Sequence, residues 1–191
     1  DCLDKIGLSK IYISIDGPRE NDLLDFGRVE ECRSIALKNY RSSFKTLRFS
    51  EKHLGCYRGV TSSINWFFER EEFGVILEDD LFVDIDFFNF VAHYSSTLLG
   101  DDLVGSISGY RKNDPLLGFN ATTDCLSRYP SSWGWATSKE RWSKFRYNFG
   151  LHEGILLLTK YFLRFGPKGV YVFGRILRNL KSGSLDSWAY R

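Results

Sequence analysis

Glu78, Asp79 and Asp80 stand in a row directly after the apolar run Val75, Ile76 and Leu77. Adjacent carboxylates repel, and each resists leaving water. An acidic triplet at a strand end has three uses: it caps and solvates a loop, it binds a metal through oxygen ligands, or it supplies a general acid or base. Three acids after a fully apolar run favour the metal. Oxygen ligands point to Mg²⁺ or Mn²⁺. A protein offering one or two carboxylates completes the shell with water or with a phosphate-bearing substrate, which implies a nucleotide diphosphate. The phosphate-cradling patterns GxxxxGK[ST] and GxGxxG do not occur, and His152-Glu153 lacks the second His of HExxH. Arg or Lys must then help the metal to hold the diphosphate.

The elements that position these groups follow from the hydrophobic pattern. Residues 10–15, KIYISI, are a β-branched run ending at Asp16-Gly17-Pro18, which predicts a buried strand and a sharp turn. The spacing predicts helices over 22–40 and 57–70, strands at 44–49, 74–77 and 103–109, and a helix capped by Asp86. Strands alternating with helices imply an α/β layered, mostly parallel sheet. Ligands bind such sheets at the carboxyl ends of the strands, where both Asp16 and the triplet fall. The stretch 131–142, SSWGWATSKERW, packs three Trp among small residues. Residues 144–181 read as helices separated near Gly166-Pro167, and the loop SGSLDSW carries Asp186.

Composition narrows the class. The 191 residues are 43% hydrophobic and 16% aromatic, enough to build one full core and too apolar for disorder. The formal net charge of +2 gives no reason to expect a nucleic-acid partner. No apolar run reaches membrane-spanning length. Cys2, Cys32, Cys56 and Cys125 form no CxxC pair, which argues against zinc. Two disulfides can be drawn among them; the reading preferred is four reduced, mostly buried thiols in a cytoplasmic protein. Asn120-Ala121-Thr122 is a glycosylation sequon if the chain is secreted. Without Met, and ending at Trp188-Ala189-Tyr190-Arg191, the chain reads as one domain cut at both ends, with a nucleotide-binding part over about 1–110 and an acceptor or helical part over about 111–191.

Taken in order, IYISIDGP, GVILEDDLFVDIDFF, SSWGWATSKERW and LDSW resemble GT-A-fold glycosyltransferases. They are most similar to the family that adds N-acetylglucosamine to initiate complex N-glycans and to bacterial enzymes with the same triplet. The resemblance implies a Rossmann-like, mostly parallel sheet flanked by helices, with a helical C-terminal segment. It implies a Mn²⁺- or Mg²⁺-dependent hexosyl- or N-acetylhexosaminyl-transferase that uses a nucleotide-diphosphate sugar, UDP-sugar favoured, and inverts the anomeric carbon. The acceptor would be a carbohydrate or a lipid-linked sugar. Such enzymes open on a strand bearing nucleotide contacts, whereas Asp1-Cys2-Leu3 resembles the tail of the helix after it.

The same resemblance distributes roles. Asp80 would ligate the metal, Glu78 and Asp79 would contact ribose or donor sugar, and Asp16 would contact the nucleotide base. Asp16 also suits a turn before Gly-Pro. Asp186 would be the catalytic base, although its position equally suits a helix N-cap. Trp133, Gly134 and Trp135 would line the sugar pocket, with core packing as the ordinary alternative for the Trp residues. Arg58 would meet a phosphate near a helix N-terminus, or be a solvated surface Arg. His53 would touch the nucleotide or be structural. The basic, Phe- and Leu-rich segment 144–181 is either a solvated helical pair or a face for peripheral membrane contact. Competing functions are a sugar-phosphate nucleotidyltransferase and a non-catalytic carbohydrate-binding domain of the same fold. The compartment expected is the cytoplasm, or the Golgi lumen for an excised luminal domain.

Overall fold

The computed structural model describes residues 10–38, 45–110, 124–127 and 131–144, with isolated helical positions between 158 and 174. Asp186, Cys2 and the Asn120 sequon lie outside the described residues.

Strand β1 (Ile11–Ile15), helix α1 (Leu23–Lys38) and strand β2 (Lys45–Phe49) form a crossover unit. β1 and β2 pair in parallel, with Ile11 opposite Lys45 and Ile15 opposite Phe49. Helix α2 (Gly55–Phe68) then leads into β3 (Phe73–Ile76). Helix α3 (Ile85–Gly100), β4 (Ile107–Ser108), β5 (Trp135–Ser138) and helix α4 (Lys139–Ser143) complete the described elements. β5 lies between β3 and β4 and is antiparallel to both.

The chain is therefore mixed α/β, as expected. The expected mostly parallel sheet is not what the described residues form: the parallel pair is β1–β2, and the larger sheet is antiparallel. The difference comes from β5, a four-residue strand that the pattern of WATS did not signal. Its residues are small, polar or aromatic rather than a β-branched run, and all four are buried.

The three-stranded sheet is covered on both faces. On one, Ile64 and Phe68 of α2 meet Trp135, Trp142 and Ile76. On the other, Val91 and Leu98 of α3 meet Ile107, Ala136, Phe73 and Val75. Burial on both faces explains why β3 reads as a near-continuous apolar run. Arg141 of α4, its side chain buried, closes the C-terminal end of α3. It donates to the carbonyl oxygens of Asp101 (3.1 Å) and Leu98 (3.4 Å) and to the Asp102 carboxylate (2.7 Å). α1 is covered less than its pattern predicts. Ala36 is buried, but Leu23, Leu24, Phe26, Ile35 and Leu37 are exposed. Cys32, Cys56 and Cys125 are exposed thiols, not the buried ones expected.

α2 also joins the two sheets. The Phe67 ring meets Tyr12 of β1 edge-on at 5.0 Å and fills the space over Gly74 of β3, where a Cβ would lie 2.2 Å from the ring. At the end of α2, Glu71 accepts from Lys10 Nζ (2.8 Å) and from the Tyr12 hydroxyl (2.6 Å). This cluster ties the start of β1 to the entry of β3. Hydrogen bonds from Lys10 and then Tyr12 hold the Glu71 carboxyl below the ordinary glutamate value. Its bond to Glu71 also raises Lys10, and Tyr12 is raised in the same way.

The signs set the pH window. The depressed Glu71 contributes stability above the ordinary glutamate value, and that contribution is lost as pH falls through its lowered pKa. The raised Lys10 and Tyr12 contribute below their ordinary values and lose the contribution as pH rises past their raised ones. Glu71→Gln is expected to lower Tm by about 2–4 °C at neutral pH. The deficit should shrink at strongly acidic and strongly alkaline pH. A deficit independent of pH by calorimetry would contradict this role.

Candidate functional site

The acidic triplet sits where β3 ends. Leu77 follows the strand, and the Leu81 N–H donates to the Glu78 carbonyl at 3.3 Å, closing a turn over the triplet. Glu78 is half-buried, while Asp79 and Asp80 are exposed. The next acid along, Asp84, caps α3: its carboxylate accepts from the Phe87 N–H at 3.1 Å in extended backbone. The expected cap was Asp86, which instead falls in the first turn, where its charge favours the helix dipole.

β5 supplies the wall beside this turn. Ile76 pairs with Trp135, the last pair of that ladder, and Gly134 lies next along, against Leu77. Gly134 is buried at φ +66, a conformation that favours glycine, and a Cβ there would meet Leu77 and Phe87 at 3.7 Å. The Gly109 N–H donates to the Gly134 carbonyl at 3.0 Å, drawing the end of β4 to the same edge. The three expected pocket residues therefore separate. Trp135, 7% exposed, packs in the core with Ile64, Phe68 and Trp142, the core packing that is the ordinary alternative for the Trp residues. Gly134 is buried floor. Trp133, 55% exposed, stands on the surface just before β5, at the end of the sheet where β3 runs into the acidic turn.

Asp16 is engaged by the protein itself. Its carboxylate accepts from the N–H groups of Gly17 (2.8 Å), Leu54 (2.9 Å) and Gly55 (3.0 Å), and His53 Nδ1 lies 3.0 Å from it. It thus serves as a long-range N-cap that fastens the start of α2 to the end of β1, with His53 held beside it. The turn role of Asp16 is visible in this geometry. The same bonds use N-terminal donors of α2 that a phosphate near Arg58 would otherwise seek. Arg58 is exposed in the first turn of that helix.

α2 also fixes the relative direction of β1 and β3. Its N-terminus lies at Asp16, after β1, and its C-terminal end meets Lys10, before β1, and then enters β3. Asp16 and the triplet consequently share one end of the molecule.

A metal fits this end only in a shared manner. Among the described residues no three His, Cys, Asp or Glu side chains converge on one point. Asp79 and Asp80 offer hard oxygen donors to solvent, the donor type that suits Mg²⁺ or Mn²⁺ when water and phosphate complete the shell.

Comparison of the chain with protein-family models, characterised proteins and solved structures returns no match. No helix among the described residues is long and apolar enough to cross a membrane.

Sequence reasoning missed Tyr110. It follows the expected strand 103–109, and its ring lies 4.7 Å from that of Trp133. An aromatic one residue beyond a strand end was the available signal.

The cap role predicts that Asp16→Ala lowers unfolding stability by about 1–2 kcal/mol in urea titration, with Asp16→Asn recovering part. Unchanged stability in both variants would contradict it.

Proposed function

We propose that this protein is a metal-dependent glycosyltransferase that moves a sugar from a nucleotide-diphosphate donor, UDP-sugar favoured, to an acceptor hydroxyl with inversion. The observation that carries the reading is the end of β3. An apolar strand delivers two exposed carboxylates, Asp79 and Asp80, into a closed turn at the end of the sheet where Gly134 and Trp133 precede β5. Support for the finer GT-A-like fold comes from the β1–α1–β2 crossover and from two acidic strand ends at one side of the molecule.

In this reading Asp80 is the direct metal ligand, and Glu78 and Asp79 contact ribose or donor sugar. A bound Mn²⁺ or Mg²⁺ would neutralise charge on the departing diphosphate. Asp186 takes the proton from the acceptor hydroxyl. The acceptor oxygen forms a bond to the anomeric carbon from the face opposite the diphosphate. The bond from that carbon to the phosphate oxygen breaks, and its electron pair leaves on the nucleoside diphosphate. Asp16, held by three backbone amides, shapes the floor on which a base would rest rather than offering a free carboxylate to it.

The test is release of nucleoside diphosphate from a panel of nucleotide sugars with Mn²⁺ and simple methyl glycosides as acceptors. Wild type should turn over one donor, and EDTA or Asp80→Ala should remove metal-dependent donor binding. Asp186→Asn should lower turnover by about 10²–10⁴-fold while donor affinity stays within about twofold. Donor binding indifferent to both EDTA and Asp80→Ala would overturn the reading. Binding without turnover in wild type would identify a carbohydrate-binding domain instead.

A further inference from the structure

We propose that Tyr110 and Trp133 together form a stacking platform for a pyranose ring of the substrate, an inference that rests on the glycosyl-transfer reading and adds Tyr110 to it. The two residues leave neighbouring strands, β4 and β5, at the edge that carries the acidic turn. Their ring centroids are 4.7 Å apart with planes at 54°. A ring lying flat on one is therefore met at its edge by the other. Trp133 is 55% exposed and Tyr110 43% exposed, in contrast to Trp135 two residues on, which is in the core.

Local hydrogen bonds order the backbone that carries the two rings. The Tyr110 N–H donates to Ser108 Oγ at 3.2 Å, and the Trp133 N–H donates to Ser131 Oγ at 3.4 Å. The Gly109–Gly134 bond joins the two backbones. Phe87 packs under both glycines; a Cβ on Gly109 would lie 2.4 Å from its ring, so side chains are excluded below the platform. The two rings touch at one end of the sheet and together leave apolar surface open to a ligand. The chemistry at this end of the sheet selects the ligand. A pyranose presents a flat face of C–H bonds to an aromatic wall and hydroxyls at its edge, and exposed acceptors for hydroxyls, Asp79 and Asp80, follow β3 at the same end of the sheet. A nucleobase also stacks on aromatic rings, so bare nucleotide is measured beside nucleotide sugar to tell a base from a pyranose.

The experiment compares wild type, Trp133→Ala, Tyr110→Ala and Trp133→Phe, each checked by thermal melting. Calorimetry with Mn²⁺ measures UDP, UDP-glucose, UDP-galactose, UDP-N-acetylglucosamine, GDP and GDP-mannose. Saturation-transfer NMR measures the methyl glycosides of glucose, mannose and N-acetylglucosamine. If the ring is the donor's, the two Ala variants weaken the nucleotide sugar roughly tenfold and leave the bare nucleotide within about twofold, while Trp133→Phe keeps most of the affinity. If the ring is the acceptor's, nucleotide and nucleotide sugar bind unchanged, and saturation of the glycoside C–H protons disappears in the Ala variants. Either result supports the platform. Glycoside saturation that Trp133→Ala removes, in a protein that binds no nucleotide, would keep the platform and overturn the glycosyl-transfer reading. Variants that leave every ligand unchanged, that weaken bare nucleotide and nucleotide sugar equally, or a wild type with neither saturation nor a nucleotide-sugar preference over nucleotide, would overturn the platform.

Discussion

Helix α2 carries two sheets at once, and the placement of Asp16 and the acidic triplet at one end follows from that constraint. Its N-terminus is fixed to the end of β1 by the Asp16 carboxylate. Its middle places Phe67 against both Tyr12 of β1 and the bare backbone of Gly74 in β3. Its far end is tied back by Glu71. A helix pinned in this way fixes which ends of β1 and β3 share a side. Loss of the glycine at position 74 would displace Phe67 and so disturb both sheets together. The β1–β2 pair and the β3–β5–β4 sheet have no ladder between them among the described residues, so side chains of α2, rather than strand pairing, set their relation.

The elements that the sequence made legible are those whose signal is local. β1 and β3 are short apolar runs bounded by Asp-Gly-Pro and by the acidic triplet. α2 carries Val60, Ile64, Phe67 and Phe68 at helical spacing, and Ile64 and Phe68 are buried as that spacing requires. α1 shows the limit of the same rule: its apolar positions predict a helix correctly, yet most stay in solvent. Periodicity marks what a helix is able to bury, and the partner surface decides what it does bury.

What was illegible depends on distant pairing. β5 owes its place to ladders with residues about sixty positions earlier and thirty earlier, and nothing in WATS announces them. Because of β5, Trp133 and Trp135 face different surroundings, so one motif of three residues divides into exposed wall, buried floor and core. Asp16 was legible as a strand-end acid, but its hold on Leu54 spans 38 residues. The choice between Asp84 and Asp86 as helix cap turned on backbone conformation: Asp84 is extended and one residue outside the helix, the geometry that lets its carboxylate reach the Phe87 amide.

In the acidic turn Asp79 and Asp80 repel one another and are exposed, and no group of three His, Cys, Asp or Glu able to hold a metal occurs among the described residues. Such a turn gains most from a cation that arrives together with phosphate oxygens. The most direct measurement is a Mn²⁺ titration followed by electron paramagnetic resonance, with and without UDP. Weak Mn²⁺ uptake is expected for the protein alone, with a large increase when UDP is added beyond what UDP itself binds and no such increase in Asp80→Ala. Mn²⁺ uptake that is the same with and without UDP, or that survives Asp80→Ala unchanged, would contradict the metal-dependent reading.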